Sequence, residues 1–190
     1  MSPRGVRPRH AASLILLRAA AQGPRVLMGR RPARSRFAPD VFVFPGGAVD
    51  RADYDAPAAR PLAQACVRRS GGDARLAAAL AAAALRETAE ETGLAVTRDH
   101  GALTLAARAI TPSSSPVRFH ARFFVADAAI ARGEPADTPE LGDLAWRTLD
   151  EALRLPLYDI TEAVLRSLRA DGAPFMMTYR AGATLVRRLD

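Results

Sequence analysis

The chain has 190 residues, of which 49% are hydrophobic and 25% charged, a composition that predicts one globular domain with a full core over residues 1–190. Its 27 basic residues are all arginine and exceed the 20 acidic residues, which gives a net charge of +7. Because arginine and alanine are abundant throughout, this charge is weak evidence for a nucleic-acid partner, and we do not expect one. No apolar run reaches the length of a membrane span, and the single Cys66 excludes an internal disulfide.

The amino-terminal segment permits two interpretations. Basic residues at 1–9, an apolar run at 11–17 and small residues at 19–21 form the layout of a secretory signal peptide. The apolar run is short and Arg18 interrupts it, so we interpret residues 11–17 as the first strand of a cytoplasmic protein. A turn at residues 22–24 and a second strand at 25–28 follow.

A basic loop follows the second predicted strand. Four arginines, Arg30, Arg31, Arg34 and Arg36, lie within seven positions. The loop is either a solvated segment of an arginine-rich protein or an anion site, because guanidinium groups bind phosphate bidentately. A short strand at 41–44 then leads into Pro45-Gly46-Gly47. Paired glycines let the backbone approach a ligand closely, although such a segment alone indicates only a turn.

An alanine-rich helix is predicted between Asp73, a good N-cap, and Gly93, a helix stop. Glu87, Glu90 and Glu91 lie in its last turns, and their spacing places them on one face. They repel one another at the helix end that prefers cations. The alternatives are a solvated acidic helix end and a cation site, for which carboxylates suit Mg²⁺ or Mn²⁺.

Residues 85–94, Leu-Arg-Glu-Thr-Ala-Glu-Glu-Thr-Gly-Leu, resemble the second half of the Nudix box, and Phe44-Pro45-Gly46-Gly47 resembles its start. The box is therefore split across residues 46–94. Arg86 follows Gly47 by 39 positions instead of the fourteen of the box, so 25 additional residues lie inside it. We expect them to form a surface excursion centred on residues 54–72, with a short helix near 62–67. Counting back from Arg86 places Ala78 where the first glutamate of the box belongs, so Asp50 or Asp53 is expected to supply that carboxylate.

The segment Phe-Pro-Gly-Gly-x-x-Asp-x-x-Asp resembles the coenzyme A diphosphatase branch of the Nudix hydrolases. The upstream signature of that branch is matched at Leu27, Arg31, Arg36 and residues 44–47. Three positions, Gly29, Pro32 and Asp40, differ from the residues of that signature.

The rest of the chain predicts further strands at 94–96, 104–110, 118–126 and 144–147, and helices at 149–153 and 160–168. Phe119, Phe123 and Phe124 are interpreted as core residues, although aromatic rings on a strand also stack bases. The apolar tail, residues 174–190, packs either on the domain or on a partner subunit, which allows a homodimer.

The resemblance implies a Nudix fold of the α/β class, an α/β/α sandwich with a mixed β-sheet. It implies hydrolysis of a pyrophosphate bond in a nucleoside diphosphate linked to another moiety, with coenzyme A or acyl-coenzyme A as the first expectation. Alternatives are ADP-ribose, nucleotide sugars, RNA ends, and a ligand-binding module without catalysis. The expected cofactor is Mg²⁺ or Mn²⁺, and the expected metal ligands are the Gly46 carbonyl, Glu87, Glu90 and Glu91. The glutamates and Arg86 are the expected catalytic residues. Arg31, Arg36 and Gly47 are expected to contact substrate, and Glu140, Asp50 and Asp53 are additional candidates.

Overall fold

The computed structural model describes residues 6–35 and 37–190. The strands are β1 (Arg9–Arg18), β2 (Arg25–Arg30), β3 (Phe42–Val43), β4 (Gly46–Ala48), β5 (Ala95–Val96), β6 (Thr104–Ile110), β7 (Phe119–Asp127), β8 (Ala131–Arg132), β9 (Gly142–Thr148), β10 (Phe175–Arg180) and β11 (Ala183–Arg188). The helices are α1 (Gln64–Ser70), α2 (Ala74–Thr92), α3 (Leu149–Ala152) and α4 (Asp159–Arg169). Short 3-10 helices occur at Arg51–Asp55, His100–Ala102 and Ala128–Ile130.

Nine of the described strands form one mixed sheet. Its order is β11-β10-β6-β7-β1-β2-β3, with β4 paired to β1 and β9 paired to β2. The pairs β1–β7 and β6–β10 are parallel, whereas the other pairs of this sheet are antiparallel. None of the described helices is long and apolar enough to cross a bilayer.

Helices cover both faces of this sheet. Along β1, Leu14 belongs to the buried apolar cluster that contains Leu80 of α2, and Ile15 belongs to the cluster on the other face that contains Val164 of α4. This alternation follows from the two-residue repeat of a strand, and it gives each face a separate apolar core. The predicted α/β/α sandwich is confirmed.

Helix α2 has the predicted ends. The Asp73 carboxylate accepts a hydrogen bond from the backbone N–H of Leu76, and Gly93 ends the helix in the left-handed region with φ of 71°. A left-handed residue is tolerated best at glycine, which has no β-carbon. The catalytic candidates of this helix are therefore held on a rigid element capped at both ends.

The insertion differs from the predicted surface excursion. Its short helix is α1, close to the predicted position, but Leu62, Cys66 and Val67 belong to the apolar core that also contains α2. An alanine-rich helix has little side-chain volume of its own. Helix α1 of the insertion packs against both α2 and β6, and α2 is buried on most sides.

Two other segments contain strands that were not predicted. The predicted strand 41–44 is shortened to β3, and a separate strand, β4, begins after Pro45, which has no N–H to donate. The Pro45 carbonyl accepts a hydrogen bond from Leu14 N–H at 2.9 Å. The carboxy-terminal tail packs on the domain, where β10 and β11 extend the sheet beyond β6. Its Phe175, Met176 and Met177 are buried.

Candidate active site

Three glutamate side chains meet at one end of a large cavity. Glu87 and Glu91 come from the last turns of α2, and Glu140 comes from the loop before β9. One carboxylate oxygen of each lies within 4.8 Å of the others. Such a group of hard oxygen ligands fits Mg²⁺ or Mn²⁺, because these ions balance the negative charge that the three side chains bring together.

Glu91 is the most deeply placed member of this group. Its side chain belongs to a residue that is only 4% exposed, and its Oε2 accepts a hydrogen bond from Gly46 N–H at 2.8 Å. Burial raises the pKa of Glu91 to about 8 in spite of this bond, and the adjacent Glu87 carboxylate adds to the rise. Burial also raises the pKa of Glu87. A divalent cation beside these carboxylates would favour their ionised forms.

The glycine pair brings the two halves of the box together. Gly47 packs so closely against α2 that an added β-carbon would lie 2.4 Å from the carboxylate of Glu87. An added β-carbon on Gly46 would lie 2.4 Å from the Ala12 carbonyl oxygen, in a backbone with φ of 154°. Only glycines let β4 pass between β1 and α2 at this distance. Gly46 thus contacts the carboxylate group through its N–H.

Arg86 links the glutamates to Asp53, which directly precedes the insertion. Its Nε and Nη2 donate to the two carboxylate oxygens of Asp53 at 3.0 Å each. Its Nη1 donates to Glu87 at 2.9 Å and to Glu90 at 3.0 Å. The bond to buried Asp53 is the largest factor that raises the pKa of Arg86, which stays protonated. Arg86 thus orients Glu87, and Asp53 orients Arg86.

Asp53 and Asp50, the two candidates for the missing carboxylate, differ in their surroundings. Asp53 follows Gly47 by six positions, which is the spacing of the first glutamate of the box. Asp50 has a largely exposed side chain, and its N–H donates to Asp53 Oδ2 at 2.8 Å. Counting forward from Gly47, rather than back from Arg86, identifies Asp53 from the sequence. The extra residues lie after it.

Glu90 lies outside the converging group. Its side chain is 59% exposed and pairs with Arg86. Glu140 is the third member of the converging group, because Thr138 links the loop of Glu140 to the end of α2. The Thr138 hydroxyl donates to the Glu91 carbonyl at 3.1 Å and accepts from Glu140 N–H at 3.3 Å and Leu141 N–H at 3.2 Å. Thr138 was not predicted as a site residue, although a threonine in a polar loop commonly makes such backbone bonds.

The predicted substrate residues lie near this group where the structure describes them. Arg31 and Gly47 line the large cavity, and Arg31 Nε donates to the Phe37 carbonyl at 3.1 Å. Arg36 lies outside the described residues. The role of each in substrate binding stays a prediction.

The large cavity has a volume of about 380 Å³ and changes character along its walls. Besides the carboxylates, six aromatic residues of the described chain line it: Phe37, Phe44, Phe119, Phe123, Tyr158 and Tyr179. The ring of Phe37 packs 5.2 Å from that of Phe119 and 5.3 Å from that of Tyr158, measured between centroids. These residues come from separate segments, so no local pattern predicted the aromatic wall. Of the three phenylalanines of β7, Phe124 is fully buried in the core on the other face of the sheet.

Residues 7–168 match the family model described as the NUDIX domain. The NUDIX hydrolase from Alicyclobacillus acidocaldarius is 28% identical, with a TM-score of 0.71 over 87% of this chain and 92% of that chain. The MutT NUDIX hydrolase from Burkholderia pseudomallei is 24% identical, with a TM-score of 0.56 over 85% and 98%. The NUDIX domain of Shewanella oneidensis NrtR complexed with ADP ribose is 15% identical, with a TM-score of 0.60 over 90% and 93%. No curated protein matches the chain.

The family match covers most of the chain, and its Nudix fold agrees with the predicted one. Nudix hydrolases typically use divalent metal ions, and the three converging carboxylates fit such an ion. The chain belongs to the Nudix hydrolases, a family of pyrophosphohydrolases that generally act on nucleoside diphosphate derivatives.

Proposed function

We propose that the protein hydrolyses the pyrophosphate bond of a nucleoside diphosphate linked to another group, with Mg²⁺ or Mn²⁺ as cofactor, in the cytoplasm. The observation that supports this most directly is the convergence of Glu87, Glu91 and Glu140 within 4.8 Å at the end of a cavity. A non-catalytic ligand-binding module would not need three mutually repelling carboxylates beside its ligand.

A divalent cation bound by these carboxylates would offset the charge of the pyrophosphate and lower the pKa of a coordinated water. The protein itself holds each carboxylate from a different side. Gly46 N–H holds Glu91, Arg86 holds Glu87, and Thr138 fixes the loop of Glu140. One of these carboxylates accepts the proton of the attacking water as a phosphorus–oxygen bond of the pyrophosphate breaks.

Coenzyme A or an acyl derivative is the substrate that we propose first. Arg31 and Arg36 match the signature of that branch, and Arg31 lines the cavity beside Glu91. The apolar and aromatic lining of the large cavity suits either an adenine ring or a pantetheine chain. Cleavage would yield 3′,5′-ADP and the phosphopantetheine half.

A substrate panel tests the proposal. Coenzyme A, dephospho-coenzyme A and ADP-ribose are incubated with Mg²⁺ or Mn²⁺, and products are identified by mass. We expect the highest kcat/KM for coenzyme A and no hydrolysis by Glu91→Gln. A preference for ADP-ribose would remove coenzyme A and retain the hydrolase. Full activity of Glu91→Gln would contradict the assigned site.

A further inference from the structure

A second cavity, of about 260 Å³, adjoins the carboxylate group. It is lined by Arg31, Pro32, Arg34, Ser35, Glu91, Pro139 and Glu140. Three of these residues, Arg31, Glu91 and Glu140, also line the large aromatic cavity. The carboxylate group therefore lies where the two cavities meet.

The two cavities differ in chemistry. The large cavity continues from the carboxylates into aromatic and small apolar side chains. In the small cavity the residues other than the glutamates include the guanidinium groups of Arg31 and Arg34 and the hydroxyl group of Ser35. Guanidinium groups bind phosphate oxygens with paired, charge-assisted hydrogen bonds. The small cavity thus has the groups that bind an anion beside the reaction centre.

The arginine wall has a defined local structure. Ser35 N–H donates to the Pro32 carbonyl at 3.0 Å and closes a turn that contains Arg34. Arg34 Nη2 donates to the Pro139 carbonyl at 3.1 Å, which connects the turn to the loop of Glu140. A guanidinium group has five N–H donors in a planar fork, so one bond to a carbonyl is compatible with further bonds to a phosphate.

We propose that the small cavity binds a phosphomonoester group of the substrate, one that is separate from the scissile pyrophosphate, and that Arg34 selects for it. This proposal rests on the proposed function, because a pyrophosphate held at the carboxylates has two arms and each adjoining cavity receives one. The substrate class is then a nucleotide-derived pyrophosphate that carries a phosphomonoester on one of its two arms.

Two matched substrate pairs distinguish the possible sources of this phosphate. Coenzyme A and dephospho-coenzyme A differ by a 3′-phosphate, and 2′-phospho-ADP-ribose and ADP-ribose differ by a 2′-phosphate. We expect the wild type to prefer the phosphorylated member of one pair at least ten-fold in kcat/KM, and Arg34→Gln to lose about ten-fold on that member only. Arg30→Gln is the matched control, because Arg30 pairs with Asp40 at 3.3 Å and lines neither cavity.

Equal losses on both members of a pair would overturn the proposal, because Arg34 would then act only by holding the loop of Glu140. Equal kcat/KM of the wild type for the two members of each pair would also overturn the proposal. A binding measurement keeps the test independent of catalysis: 3′,5′-ADP and 2′,5′-ADP are each titrated against AMP with Mg²⁺ present. If no compound is hydrolysed, the proposed function fails, while tighter binding of one bisphosphate by the wild type and not by Arg34→Gln would still support the phosphate site.

Discussion

Glu91→Gln should stabilise the protein when divalent cations are removed and weaken it, relative to the wild type, when they are present. Glu91 is 4% exposed, and burial raises its pKa from an ordinary value of 4.5 to about 8. A carboxyl group whose pKa is higher in the folded state favours folding while protonated, and this contribution is lost as the pH rises from 4.5 through 8. The wild type with EDTA should therefore lose stability across this range.

The size of the effect follows from the pKa. At about 1.4 kcal/mol per pH unit, a rise from 4.5 to about 8 corresponds to roughly 5 kcal/mol at most. Gln does not ionise, and its amide oxygen can accept the hydrogen bond of Gly46 N–H that Glu91 accepts at 2.8 Å. We expect Glu91→Gln to exceed the wild type by about 2–4 kcal/mol at pH 8.5 with EDTA, and by much less at pH 5.

Urea unfolding with EDTA at the two pH values measures this difference directly, and a repeat with Mn²⁺ should reverse the order of stability. A cation at one thousand times its Kd stabilises the wild type by about 4.1 kcal/mol, which exceeds the advantage expected for the variant, and the variant should largely lose this gain. The control is Glu90→Gln, since Glu90 is 59% exposed and outside the converging group. A pH-independent difference between Glu91→Gln and the wild type, or an equal gain in Glu90→Gln, would refute the reasoning.

Three further changes test other parts of the structure. Thr138→Val should raise the Mn²⁺ concentration needed for half-maximal activity several-fold, because the hydroxyl that positions Glu140 is lost. Thr138→Ser keeps a hydroxyl and should need the wild-type Mn²⁺ concentration; an equal rise in both variants would contradict this role. Leu62→Ala should cost about 2–5 kcal/mol in urea unfolding if the insertion is part of the core, whereas a surface excursion would lose almost nothing. Burial and the adjacent Arg122 and Arg108 lower the pKa of His120 to about 3, so the stability of the protein should fall as the pH drops from 6.5 towards 3. Unfolding measured at pH 4 and pH 7 should show a smaller fall for His120→Gln than for the wild type.

Local patterns predicted much of the fold. The capped α2, the strands of the sheet centre and α4 all depend on periodicity and on turn or cap residues within a short segment. The carboxy-terminal strands β10 and β11 were missed, because their pairing with β6 joins segments distant in sequence. The burial of Leu62 in the insertion was missed for a related reason. The alanine-rich insertion has no strong apolar periodicity, so its sequence alone does not show that it packs against another helix.

The site shows the same division between local and long-range information. Spacing along α2 places Glu87, Glu90 and Glu91 near one another, but it does not determine which of them a carboxylate from a distant segment will join. Arg86 pairs with both Glu87 and Glu90, whereas the loop of Glu140 reaches Glu87 and Glu91. The composition of the converging group therefore depends on the path of a loop fifty residues further along the chain, and no spacing within the box encodes it.

The insertion preserves the site because of where it enters the box. It begins after Asp53 and ends before α2, and the two carboxylate oxygens of Asp53 hold Arg86 at 3.0 Å each from the other side of the insertion. The Asp53–Arg86 ion pair closes the inserted segment into a loop whose ends are fixed. Added loop length costs little entropy once the ends are held. Gly47 and Glu87 are thus kept in contact although 39 positions separate Gly47 from Arg86. A chain with the same additional residues between Gly47 and Asp53 would lose this closure, because Arg86 would then have no acidic partner at a fixed distance from the glycines.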